Sequence, residues 1–359
     1  MIDADAVHEH LQTEYPSPSA IEWDSSQGPI PVYADYNLVQ EYLTDKRFKI
    51  VDDPKVAKIL WLCEDYEQRR FQEWGIDFSS VYVSYFKKEG ALVIKNAIAN
   101  MINTTLKDKS CMQLTFDLES ALPQFIGCFQ DREKKGLENT WIVKPTAMAR
   151  SMDTWVCNNA EQISRLVETG PKVAQKYIER PITFKGRKID LRYVVLMKSL
   201  LPLQLYVANE FYIRFSNNQF TMSESTFQEY DTHFTVMNYG DKDMTNMRCE
   251  QFMEAFNEEY EPRGIRFQDL NQKAFKAIAD VFKAFQTRYG KDVEKMGNID
   301  RSRACYGVDV MIDQDCNAKL LEVTFAPDMG RFCKFQPNGY NEVFGNLFFN
   351  EENNVTRIV

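Results

Sequence analysis

From Ile30 onward the chain alternates short apolar runs with polar breaks, and both the strand and the helix periods appear. Val56-Ala-Lys-Ile-Leu-Trp-Leu-Cys63 predicts a buried strand, and Val81-Tyr-Val-Ser-Tyr-Phe86 a second, short one. Residues 91–106 carry apolar side chains at Leu92, Val93, Ile98, Met101 and Ile102, the spacing of a helix. A polar break at 130–139 precedes the strand Trp141-Ile-Val-Lys144, and a helix over 160–168 is stopped by Gly170-Pro171. Strands follow at 172–178, 190–198 and 203–215. The clearest amphipathic helix spans 268–289, with Leu270, Ala274, Ile278, Val281, Phe282 and Phe285 on one stripe and Gly290 as its stop. The chain closes on a hairpin, Tyr306–Asp313 and Ala318–Phe325, turning through Gln314-Asp-Cys-Asn317. Residues 1–29 are polar, with Pro16 and Pro18 among serines, and read as a loose lead-in. The pattern predicts a mixed α/β (α+β) fold with antiparallel sheets.

Composition narrows the function classes. The chain has 359 residues, 44% of them apolar, enough for roughly two or three domains with sizeable cores. A formal charge of −9 argues against general nucleic-acid binding, which needs a basic face. With only His8, His10 and His233, a His-based triad or His-rich metal site is almost excluded. The eight cysteines show no CxxC spacing and read as reduced thiols. No run reaches the roughly 18–20 apolar residues of a membrane span. The N-terminus lacks the order of a signal peptide. A monomer in the cytoplasm, with the nucleus as a second compartment and no membrane partner, is the expectation.

Three constellations carry candidate chemistry. If the closing hairpin turns through four residues, Asp313 pairs with Ala318 and Asp309 stands opposite Glu322. Two facing carboxylates among apolar neighbours repel unless a cation lies between them, and oxygen ligands suit Mg²⁺. Thr324 shares the face of Glu322. The alternative is a carboxylate at an exposed edge, or one paired with an arginine. In Lys188-Ile-Asp-Leu-Arg192, strand alternation puts Lys188, Asp190 and Arg192 on one face, which Arg214 could join. An arginine pair there suits a transferring phosphoryl group, and a solvated charged face is the plainer reading. The third is Trp141-Ile-Val-Lys-Pro-Thr-Ala-Met-Ala-Arg150-Ser-Met-Asp153, where Lys144 and Arg150 could approach phosphates or simply end a strand. Neither GxGxxG nor GxxxxGK[ST] occurs.

The order Trp-Ile-Val-Lys-Pro, Gln175-Lys-Tyr-Ile-Glu179, Lys-Ile-Asp-Leu-Arg, then Asp309 and Glu322 resembles the tubulin–tyrosine-ligase-like family. The resemblance runs from about Ile30 to the C-terminus. It implies an ATP-grasp fold: an N-terminal α/β domain over 30–90, a central lobe over 91–180 and a C-terminal lobe over 181–359. It also implies that Lys144, Arg150 and Lys188 meet the phosphates of ATP, and that Gln175, Lys176, Tyr177 and Ile178 line the adenine pocket. Asp190 would lie near nucleotide and metal. Arg192 and Arg214 would stabilise the acyl-phosphate step, and Asp309, Glu322 and Thr324 would hold Mg²⁺. Active members use ATP to join Tyr, Glu or Gly to tubulin tails, so tubulin or microtubules are the implied partner. Some members carry a further N-terminal domain, for which the stretch before Ile30 is too short.

The pattern is broken in places. Where the family has glycines after the basic residue of its phosphate loop, this chain has Ser151 and Asp153. A carboxylate ~4 Å from a phosphate charge at an effective dielectric of ~20 is repelled by ~4 kcal/mol, roughly a thousandfold in affinity. Thr324 replaces an asparagine ligand, and Val236 in His233-Phe-Thr-Val236 replaces another asparagine. His233 reads as a structural hydrogen-bonder rather than a base. The expectation is a pseudoenzyme-like modulator that binds tubulin. The alternatives are an active ATP- and Mg²⁺-dependent acid–amine ligase, and a scaffold with another partner. Lys185, Arg187, Lys188 and Arg192 would form one wall of a groove for an acidic tail.

Overall fold

The computed structural model describes residues 4–63, 72–148, 151–236, 244 and 246–359. Three sheets organise it. The first, ordered β2 (Phe48–Ile50), β1 (Ile30–Ala34), β3 (Ile59–Trp61) and β4 (Tyr82–Val83), is parallel throughout. Its central strands bury Val32, Ile59 and Leu60, the continuous apolar character that a two-sided sheet needs. The second, the smaller of two antiparallel sheets, runs β5 (Thr115–Asp117), β8 (Lys172–Lys176), β6 (Trp141–Pro145), β7 (Trp155–Cys157). Its own core of Phe125, Phe129, Trp141 and Ile163 lies beneath it.

The largest sheet runs β14 (Ala318–Phe325), β13 (Ala304–Ile312), β10 (Arg187–Leu200), β11 (Leu203–Ala208), β15 (Val355–Arg357). β12 (Tyr212–Phe215) and β9 (Thr183–Phe184) also pair with β10. One face packs on the long helix Phe267–Lys295 through Ile278, Phe282 and Phe285. The other packs Val194 and Leu196 against Phe344 and Phe348 of the helix Gly339–Phe349, which also covers Phe48 and Trp61 of the first sheet. The C-terminal helix therefore closes the core of the N-terminal sheet.

Several boundaries differ from expectation, each for a physical reason. The lead-in 1–29 is not loose throughout, because Ala4–Glu14 is a helix. Its buried stripe is only Ala4, His8 and Leu11, and it is held by docking: His8 Nδ1 meets Gln286 Oε1 at 2.8 Å, and Gln12 Nε2 donates to Leu203 O at 2.7 Å. The break at 130–139 starts late, since the helix Leu122–Lys134 runs into it and Gly136 then takes a left-handed φ of 60°. Gly290 does not stop the long helix; it lets the chain pass Leu201, whose Cδ2 lies 3.1 Å from where a Cβ would stand. The stretch 203–215 is two strands, not one, with β11 and β12 pairing successive parts of β10.

The hairpin does not close the chain, since the helices Gly330–Phe335 and Gly339–Phe349 and then β15 follow it, and its register departs from expectation too. Ile312, not Asp313, pairs with Ala318, because Asp313–Asn317 form a longer turn in which Asp313 Oδ1 accepts from the N–H of Asp315 and Asn317. The ladder then shifts between Asp309 and Val310, from Val310↔Leu320 to Asp309↔Glu322. This bulge absorbs the extra turn residue. Asp309 and Glu322 thus face each other as expected, by two compensating departures.

A candidate nucleotide cleft between the two antiparallel sheets

The strand period of β10 turns Lys188, Asp190 and Arg192 to one face. Its neighbours complete the row: Asp190 pairs with Arg214 on β12, Arg192 with Asp309 on β13, and Asp309 with Glu322 on β14. Opposite stand Lys144 of β6 and Gln175–Ile178, where β8 ends. Between them opens a cleft of about 770 Å³, continuous with solvent. Lys144, Gln175, Lys176, Tyr177, Ile178, Lys188, Asp190, Arg214, Asp309 and Glu322 all line it, so ten residues singled out from sequence meet in one place.

On the large sheet the charges neutralise one another. Arg192 grips Asp309 with two nitrogens, Nε to Oδ1 and Nη2 to Oδ2 at 2.9 Å. Arg214 bridges the two carboxylates, with Nη2 2.6 Å from both Asp190 Oδ1 and Asp309 Oδ2. Thr235 Oγ1 donates to the other oxygen of Asp190. Burial pushes the Asp309 carboxyl up, but the Arg192 and Arg214 guanidiniums outweigh it and hold the group at about 2. For Asp190, burial wins: its carboxyl is raised, Arg214 offsetting only part, with the nearby Asp309 charge adding to the rise. Glu322 pairs with Lys95, Nζ to Oε1 at 3.2 Å.

Two lysines, Lys144 on β6 of the small sheet and Lys188 on β10, have neutral hydrogen-bond partners among the described residues. Lys144 Nζ donates to the amide oxygen Gln175 Oε1 at 2.9 Å. Lys188 Nζ donates to Tyr177 Oη at 2.5 Å and to His233 O at 3.1 Å, and lies 4.1 Å from the centre of the Tyr177 ring. Burial lowers both ammonium groups, Lys144 to about 8 and Lys188 to about 7, with the Asp190 charge offsetting part of the fall at Lys188. Lys176 differs, because Glu179 holds it at 2.6 Å; burial still lowers its pKa, and Glu179 opposes that. His233 bonds Tyr177 Oη through Nδ1 at 2.9 Å and Thr226 Oγ1 through Nε2 at 3.1 Å. Burial, then the Lys188 charge, push it to about 4, so it is a neutral structural link near pH 7.

Some expected residues stand elsewhere. Arg192 is not among the cleft-lining residues; its guanidinium lies over Gly307, where a Cβ would come 2.8 Å from Nη1. Thr324 pairs with that glycine and does not line the cleft either. Arg150 lies outside the described residues. The expected basic wall does not form: Lys188 is buried beside Tyr177 and Arg192 is committed to Asp309, while Lys185 is exposed at the β9–β10 turn. Strand alternation and burial separate residues that are adjacent in sequence. Two site residues were missed. Lys95, which pairs Glu322 and donates to Met148 O at 2.8 Å, has no sequence signal. Thr235 sits inside the His233–Val236 segment, beside the position that drew attention.

The sequence profile of the Tubulin-tyrosine ligase family matches residues 79–356, a span holding every cleft residue described above. The chain belongs to that family. It is 36% identical over 338 residues to tubulin–tyrosine ligase-like protein 12 of Caenorhabditis elegans, covering 90% of this chain and 49% of that protein. Against the protein of the same name from Mus musculus the figures are 34% over 348 residues, 91% and 53%. Tubulin glycylase 3D of Tetrahymena thermophila is 27% identical over 336 residues, 82% of this chain and 32% of its own. The chain spans about half the length of the two proteins named 12.

One departure from the family pattern changes meaning. Ser151 and Asp153, at the positions where the resemblance implies glycines, take left-handed φ values of 54° and 50°. The glycine conformation is kept without glycine, and Asp is among the residues that tolerate it. The Asp153 carboxylate does not line the cleft: it pairs with buried Lys172 and accepts from Trp155 Nε1 at 3.1 Å. Lys172 foremost, then Trp155, hold its carboxyl below the usual range. The repulsion expected between Asp153 and a phosphate is therefore not that of an unpaired charge at the cleft. Among the described residues, no helix is long and apolar enough to cross a membrane.

Proposed function

We propose that the cleft binds ATP between the lobes of an ATP-grasp fold, and that the chain is a tubulin-directed, cytoplasmic member of its family acting more by binding than by turnover. One observation carries the nucleotide reading. Lys144 and Lys188 are sunk beside the cleft, their hydrogen-bond partners among the described residues are neutral, and burial lowers their pKa values. A polyanion supplies the countercharge they lack, and a triphosphate is of matching chemistry. Tyr177 and Ile178 add the apolar lining that an adenine needs. The tubulin reading draws on the relatives, whose names include ligase-like proteins and a glycylase of tubulin.

The donor set also fits Mg²⁺, which one or two carboxylates plus phosphates ordinarily hold. Asp309 and Glu322 would be those carboxylates, and the ion would supply charge neutralisation for the phosphates. Both are already engaged by cations, Asp309 by two arginines and Glu322 by Lys95. Val236 brings an apolar side chain to the cleft, and Thr324 stands off it. These features favour nucleotide binding with weak turnover. Titration calorimetry with Mg·ATP should give binding that Lys144→Met and Lys188→Met each weaken, and tubulin should bind the full chain without fast ATP hydrolysis. Absence of ATP binding by the unmodified protein would end this reading. The second reading is an active carboxylate–amine ligase, favoured by Arg214, Asp190, Asp309 and Glu322 sharing one wall. Tubulin-dependent incorporation of labelled Tyr, Glu or Gly would decide for it.

A further inference from the structure

The turn Ser151–Thr154 has a front and a back. Ser151 and Thr154 line the cleft, whereas Asp153 points away and joins Lys172, the first residue of β8. Lys172 is 1% exposed, and among the described residues Asp153 is the group its ammonium bonds. The pair is therefore a buried cation held by a half-exposed carboxylate, across the β6–β8 edge where Pro145 pairs with Lys172. Trp155 Nε1 fixes the second carboxylate oxygen. Two contacts on one side chain, both with residues outside the turn, hold a left-handed φ that would otherwise be strained.

We propose that Asp153 is a positioning residue for nucleotide binding. Its side-chain oxygens, accepting from Trp155 and Lys172, anchor the turn that presents Ser151 and Thr154 to the phosphates. Lys172 at the same time neutralises the carboxylate, so that no net negative charge faces the ligand. The proposal rests on the nucleotide reading above and reverses the simplest expectation from the family pattern: restoring glycine weakens binding. Glycine removes the strain but also the anchor, frees the backbone and leaves Lys172 buried without its partner.

The test is Mg·ATP binding by calorimetry on the full chain with Asp153→Gly, Asp153→Asn, Lys172→Met and the double variant Asp153→Asn/Lys172→Met. Asp153→Gly should weaken binding by at least about tenfold, one decade being ~1.4 kcal/mol. Asparagine keeps the left-handed tolerance and an acceptor oxygen, so Asp153→Asn should stay within about threefold of the unmodified protein. Lys172→Met uncovers the Asp153 charge and should weaken binding by about tenfold or more at low salt. Adding Asp153→Asn to Lys172→Met should then restore most of that loss, a rescue that a merely structural lysine would not give. Binding by Asp153→Gly as tight as, or tighter than, the unmodified protein overturns the proposal, as does a Lys172→Met defect that asparagine leaves unrepaired. If no variant and no unmodified protein binds ATP, the nucleotide reading itself falls. Should Asp153→Gly fail to fold, the Lys172→Met rescue carries the test alone.

Discussion

The two walls of the cleft solve the problem of buried charge in opposite ways. On the large sheet, Asp190, Arg192, Arg214, Asp309 and Glu322 sit in register across four strands, each cation spent on a carboxylate. Lys144 on the facing sheet, and Lys188 reaching from the start of β10 toward Tyr177, end instead on an amide, a phenol and a carbonyl, and burial lowers their pKa values. One wall is electrostatically closed; the other awaits a negative charge. A ligand of high negative charge is drawn to the second wall first, and engages the first only by loosening ion pairs already made.

The largest expected effect comes from breaking the closed wall. Asp309→Ala leaves Arg192 and Arg214 buried with one carboxylate fewer between them, and unpairing buried charge costs about 3–5 kcal/mol of stability. Urea unfolding should show that loss, with a smaller one in Asp309→Asn, which keeps acceptor geometry. A change within the error of the measurement would mean that the arginines relax into solvent and that the wall is not closed. The next effect is steric. At Gly307, a Cβ would stand 2.8 Å from Arg192 Nη1 and 3.0 Å from Pro327 Cβ, neither able to yield easily. Gly307→Ala should cost about 1–3 kcal/mol, the usual range for overpacking. It should also weaken the effect of a following Asp309 substitution, because the ion pair is already displaced.

How much of this was legible in the sequence follows from the range of each interaction. The shared face of Lys188, Asp190 and Arg192 needs only the strand period, which is local. The facing of Asp309 and Glu322 needs a turn length, and the assumed length was short by one; the bulge between Asp309 and Val310 restored the pairing. Sequence holds no sign of that bulge. From sequence, Asp153 is an anion beside phosphate, because only its neighbours along the chain bear on it. Its partner Lys172 lies on another strand, and nothing local announces the pair. The same holds for Lys95 with Glu322, and for the first helix, whose stripe of Ala4, His8 and Leu11 is too thin to declare itself without Gln286 and Leu203 to dock on. The basic wall drawn from Lys185, Arg187, Lys188 and Arg192 failed for the converse reason: adjacency in sequence was taken for adjacency on a surface.

The open wall predicts a smaller effect with a definite sign in pH. Folded Lys188 has a pKa near 7, well below the ordinary value for lysine. Between that pH and about 10.4 the unfolded chain holds a proton that the folded chain has released. Stability should therefore rise as pH increases from 7 through this window, the burial penalty being felt in full below 7. Lys188→Met should flatten that rise and raise stability at pH 6. Phosphate favours the charged amine, so ATP affinity should be highest below pH 7 and fall as pH climbs past it, a slope that calorimetry should find reduced in Lys188→Met. An affinity independent of pH from 6 to 9 would mean that Lys188 keeps its proton throughout, and the contrast between the walls would shrink to one of partners alone.

The smallest effect concerns the surface outside the cleft. Of the four cations first grouped as a docking wall, Lys185 remains exposed at the β9–β10 turn, its amine 5.3 Å from the centre of the Phe184 ring and its backbone N–H donating to Glu259. Lys188 and Arg192 are engaged inside, so a tail carrying negative charge meets little of them from solvent. An exposed charge at the rim of an interface acts mainly on the rate of encounter and is screened by salt. Lys185→Glu should therefore slow the proposed association with tubulin by only about threefold at low ionic strength, converging with the unmodified protein near ~0.5 M salt. Surface plasmon resonance across a salt series would measure it. A loss of tenfold or more that persists in high salt would make the turn the centre of the proposed tubulin interface.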